Sequence, residues 1–173
     1  MRIDSQVEPL VREALAAVVA RDPARSVVAT QTLVDQGDQT FADAVDLCLA
    51  VDNHVLLDLY DGPPNLDSIA SLADSVVHME AWADIDRPTA QTFLTALVEQ
   101  EDPALLLPPA DAVEAGFVVG GWLLSAFVPE SASWESALDH ALDALGSDDW
   151  TAESLAVGAG GFAGTIRRVS PSR

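Results

Sequence analysis

Apolar positions recur at helical spacing along most of this chain. Leu10, Ala14, Leu15, Val18 and Val19 predict a first helix, with Ser5 and Glu8 at capping-box spacing before it and Asp22-Pro23 ending it. "ARSVVATQTLVDQG" reads as a short second helix closed by Gly37, although its β-branched residues favour a helix less. The strongest pattern is "DQTFADAVDLCLAVDNHVLLDLYDGPP". Phe41, Val45, Cys48, Leu49, Leu56 and Leu59 form a wide apolar face that Leu47 and Val51 extend around the cylinder. Such a helix belongs at the centre of a bundle. Asp38 or Thr40 is its expected cap, and Gly62 with Pro63 and Pro64 stops it.

Asn65 caps the next predicted helix, whose stripe runs Leu66, Ile69, Leu72, Val76, Met79 and Trp82. Pro88 opens another, carrying Phe93, Leu94, Leu97 and Val98, and the proline-rich "DPALLLPPAD" turns the chain. Residues 112–128 admit two readings. As a helix the segment is buried, with Gly116, Gly120 and Gly121 allowing close packing; as a hairpin, Gly120-Gly121 is the turn. Asp111 and Glu114 favour the helix, because acids suit a first turn. Trp134, Leu138, Ala141 and Leu145 form a last stripe, ended by Gly146. The fold expected is mainly α: a single-domain antiparallel helical bundle over 1–173, with a candidate β-hairpin or irregular tail at 152–170.

Charge changes the picture more than composition does. Apolar residues at 49% and a length of 173 suit a globular chain with a real core. Yet 28 acidic residues face 8 arginines and no lysine, for a net charge of −20. Between Ser26 and Ile166 the only basic side chain, histidines aside, is Arg87. That field opposes direct contact with nucleic acid or anionic membranes and favours basic partners. It also keeps a protein soluble, so acidity as adaptation to the host is the plain alternative. The N-terminus lacks an apolar signal core, and the uncharged stretch Ala115 to Val128 is too short to span a membrane, so a cytoplasmic protein is expected. Cys48 is alone and lies in an apolar run, where a thiol packs as a small hydrophobe.

Candidate chemistry is sparse. His54, Asp58 and Asp61 share a helix face, Asp74 and His78 are four apart, and Asp139 and Asp143 flank His140. With acids this frequent, such neighbours arise by chance, and none has the Glu-x-x-His spacing of di-iron bundles. Asp61 precedes Gly62 and reads as a turn residue. No nucleophile elbow, HExxH or Walker sequence occurs. Trp82, Trp122, Trp134 and Trp150 read as core before pocket. "VGAGGFAG" contains Gly-x-Gly, but only nine residues follow Gly164, too few for a dinucleotide fold. It reads as a turn at Gly160-Gly161 leading to Arg167 and Arg168.

The leading expectation is therefore a non-catalytic acidic helical protein that binds a basic protein, as an immunity, antitoxin or nuclease-blocking protein does. It needs no metal or cofactor, and a homodimer is compatible with it. The alternative is a small-molecule-binding protein or enzyme with a pocket between helices built on His54 and Asp58, with His78 as a further candidate. A structural subunit whose acidity only reflects its host is the third reading.

Overall fold

The computed structural model describes residues 4–128 and 132–146. Every regular element among them is helical: α1 (Glu8–Val19), α2 (Pro23–Asp35), α3 (Asp38–Tyr60), α4 (Leu66–Met79), α5 (Arg87–Glu99), α6 (Pro103–Leu106), α7 (Pro109–Ala126) and α8 (Trp134–Gly146). A single 3₁₀ turn, Ala81–Ala83, joins α4 to α5. The candidate hairpin at 152–170, Trp150 and the glycine stretch with Arg167 and Arg168 lie outside the described residues.

Short polar side chains start most of these helices by accepting a free amide of the first turn. Asp22 accepts from the Arg25 amide at 3.0 Å, Asn65 from Ser68 at 2.9 Å, Asp86 from Thr89 at 2.8 Å and Asp102 from Ala104 at 2.9 Å. Ser5 does not cap α1. The chain enters that helix through a turn, Val7 occupies the cap position, and its side chain is buried in the core. Burial of Val7 thus fixes the entry that a hydroxyl was expected to fix. Gly37, at φ +99°, likewise takes the cap position of α3 and leaves Asp38 in its first turn, where the helix dipole still favours an acid.

α3 is central, packing against α1, α2, α5, α7 and α8. One group of buried side chains, including Leu15, Leu33, Leu47 and Leu138, joins α3 to α1, α2 and α8. A second, including Ile69, Val76, Phe93 and Leu94, joins α4 and α5 to α7. Each such Leu or Phe contributes about 1.5–3 kcal/mol on leaving water.

The segment 112–128 is helix up to Ala126, not hairpin, and α7 is buried on nearly all sides from Ala115 to Leu124. Gly120 lets it approach Asp52 of α3 and Leu15 of α1. A β-carbon at Gly121 would stand 2.5 Å from Cγ1 of Val18. Trp82 falls beyond α4, in the 3₁₀ turn, where its indole donates to the Glu80 carboxylate at 2.7 Å. Trp122 is buried, while Trp82 and Trp134 are half-buried against the core. Cys48 is buried as a small apolar group.

Candidate functional site

Two helices bring imidazoles together. His54 and Asp58 stand one turn apart on α3, and Ser136 and His140 stand one turn apart on α8, which packs against it. All four line a cavity of about 270 Å³, with Leu123 and Phe127 among its apolar walls. The His54 and His140 ring centroids are 6.3 Å apart, with the planes inclined at 49°. Burial lowers the His54 pKa; Asp58 pulls it up and His140 pushes it further down. His54 is therefore neutral at pH 7, the state in which an imidazole accepts a proton or a hydrogen bond.

The cavity does not gather every candidate from the sequence. Asp61 is the C-cap of α3 in the left-handed region (φ 52°), exposed, with its amide bonded to the Asp58 carbonyl at 3.3 Å. That is the turn role its position before Gly62 suggested. His78 is exposed in the last turn of α4 and does not line the cavity, nor do Trp122 and Trp134. Asp74 is bonded to Arg87, and Asp139 to Arg12 at 2.7 Å. The Ser136 hydroxyl is engaged in a reciprocal cap with Ser133, donating to its carbonyl at 2.7 Å, so it is not poised as a nucleophile. Among the described residues no three His, Cys, Asp or Glu side chains form a group suited to holding a metal ion. What the cavity offers is one neutral imidazole, a second imidazole, a carboxylate and apolar walls.

Sequence reasoning missed Asp52. It is fully buried, and neither carboxylate oxygen has a hydrogen-bond partner. Burial raises its pKa well above the usual range, because an unpaired charge in the core loses its hydration. The signal was available: positions 45, 48, 49, 52 and 56 share the apolar face of α3, and only Asp52 among them is ionisable in the carboxylate range. A second buried acid, Asp102, spends one oxygen capping α6. Nearby Asp46 is pushed up to about 6 by burial and by the charges of Asp43 and Asp102.

The surface carries the remaining electrostatics. Arg12 bridges Glu8 and Asp139, each at 2.7 Å; Arg25 holds Glu13 at 2.8 Å; Arg21 holds the buried Glu80 at 3.1 Å; and Arg87 holds Asp74. All four arginines among the described residues are thus spent on this chain's own carboxylates. The other exposed acids form no ion pair with a described arginine. No described helix is long and apolar enough to cross a membrane. Compared with models of protein families, curated proteins and solved structures, the chain matches none.

Proposed function

We propose that this is a non-catalytic acidic protein that binds a basic protein partner, in the manner of an immunity, antitoxin or nuclease-blocking protein. The internal use of Arg12, Arg21, Arg25 and Arg87 carries the reading. With the four described arginines so engaged, a chain of net charge −20 presents unneutralised carboxylates to its surroundings. Such a surface steers basic partners into encounter and repels polyanions. The test is retention of basic nucleases on the immobilised full chain, at low salt and at about 0.15 M salt, with poly-glutamate as control. Retention that outlasts the poly-glutamate control and inhibits the nuclease supports the reading. If no basic protein is retained even at low salt, it fails.

A second reading, small-molecule binding, is supported by the cavity that holds His54, Asp58 and His140 together. His78 takes no part in it. A ligand screen by NMR, read on the His54 and His140 ring resonances, tests it. Compounds that shift neither ring at millimolar concentration count against it.

A further inference from the structure

α2 and α7 both pack on α1, and between them runs an open groove of about 730 Å³. Its two walls have the same construction. Val27, Thr30, Gln31 and Val34 of α2 line one side at i, i+3, i+4 and i+7. Ala110, Val113, Glu114 and Phe117 of α7 line the other at the same spacing. Each wall is one helix face of two turns, about 10 Å long. Two such faces form a slot for a third helix rather than for a strand, whose side chains alternate every second residue. The slot is largely apolar and open to water, with Val27 70% and Val34 49% exposed.

Trp82 also lines the groove, and its ring is held from behind. Its indole donates to Glu80, which is only 4% exposed and accepts in turn from Arg21. A buried carboxylate spent on fixing one half-buried tryptophan at a groove wall is the preorganisation a binding surface uses.

Charge identifies the occupant. Glu114 is the one ionisable side chain in the lining, and its pKa is raised by partial burial and by the nearby charges of Asp111 and Asp84. No described arginine serves it, since all four are bonded elsewhere. The described body of a second copy, its four arginines likewise engaged, would bring like charge to Glu114. A cation would relieve three crowded carboxylates.

We propose that the groove between α2 and α7 receives a basic amphipathic helix of the partner, with apolar side chains on Val27, Val34 and Phe117 and a lysine or arginine at Glu114. This rests on the basic-partner reading above and says where that partner is gripped.

The test uses the full chain and three fluorescein-labelled peptides of about 18 residues, long enough to form a helix on binding. One is a Leu/Lys peptide with leucines at i, i+3, i+4 and i+7, one has the same composition in scrambled order, and one has Glu in place of Lys. Anisotropy at about 0.15 M salt should show the ordered Leu/Lys peptide binding roughly tenfold tighter than the scrambled one, with the Glu peptide not bound. V27Q/V34Q should weaken it by roughly tenfold and E114Q by several-fold, whereas E135Q on α8 should leave it unchanged. Val27 and Val34 are exposed, so circular dichroism should show these variants folded.

Equal binding of ordered and scrambled peptides, or no effect of V27Q/V34Q, overturns the groove while leaving the basic-partner reading intact. Failure of both Lys peptides together with failure to retain basic nucleases overturns both. Self-association abolished by V27Q/V34Q assigns the groove to a second copy and overturns the proposal. Binding of tetraphenylphosphonium but not of the ordered peptide overturns it in favour of a small lipophilic cation.

Discussion

Replacing Asp52 by asparagine removes one titration from the core with little change in shape. In the wild type the carboxyl is fully buried, with no hydrogen-bond partner for either oxygen, and Gly120 presses against it. The four described arginines are committed elsewhere. Burial therefore keeps the proton on Asp52 in the folded state, whereas in the unfolded chain it leaves near a pKa of about 3.9. Below that pH both states hold the proton, and the full stability is present. As pH rises past it, the unfolded chain releases a proton that the folded chain retains. Stability then falls by about 1.4 kcal/mol per pH unit until the folded carboxyl itself ionises.

D52N has no such slope. Its stability relative to wild type should rise with pH from about pH 4 upward, by about 1.4 kcal/mol per pH unit for as long as the folded carboxyl keeps its proton. Urea unfolding followed by circular dichroism at stepped pH measures this, provided the urea dependence is alike in the two proteins. Asp46 and Glu114 also have raised pKa values, but they are present in both proteins and cancel in the difference. The buried asparagine amide shifts the whole curve by a constant and does not alter its slope. Parallel stability curves for wild type and D52N would refute the reasoning, since Asp52 would then titrate alike in both states.

Glycine substitutions in α7 should divide by position. An alanine helix residue gains up to about 1 kcal/mol over glycine. G116A should keep that gain, because its new β-carbon meets Phe93 at an ordinary 3.8 Å. G120A and G121A should lose about 1–3 kcal/mol by overpacking against Asp52 and Val18, read as a lower thermal midpoint. E80Q removes a buried charge that Arg21 and the Trp82 indole both use. It should cost about 1–3 kcal/mol and move the Trp82 indole resonance in NMR, while an unmoved resonance would sink this account of the groove wall. Finally, salt screens self-repulsion in a chain of charge −20, so raising sodium chloride from about 0.05 to about 1 M should raise the midpoint. A midpoint independent of salt would argue against acidity as adaptation to a salty host.

Local pattern was enough to find the longer helices, but not the single turn of α6 inside the proline-rich linker, nor what lies between the helices. α3 could be placed at the centre because Leu47 and Val51 carried its apolar face around the cylinder, and both are buried. α7 stayed ambiguous for the opposite reason: a segment apolar on every side has no period to read, and only its contacts with α1, α3 and α5 settle it as a helix. His54 and Asp58 shared a face on spacing alone. That His140 joins them depends on α8 packing against α3, which no interval within either helix encodes.

Asp52 shows how a strong prior hides a signal. Acids are so frequent in this chain that one more on α3 does not stand out by type, yet its register places it between Cys48 and Leu56 on the buried face. The glycine it needed is Gly120, far along the chain, whose missing β-carbon makes room for the carboxylate. The groove has the same origin. Val27 and Val34 looked like weak helix formers in a short segment, and Glu114 looked like a first-turn acid. They become walls of one slot because α2 and α7 both lean on α1, and the bare backbone of Gly121 lets α7 settle against Val18. Spacing along the chain states what each face is made of. Which faces meet, and therefore where a groove opens, is decided by how closely these small residues let the helices approach.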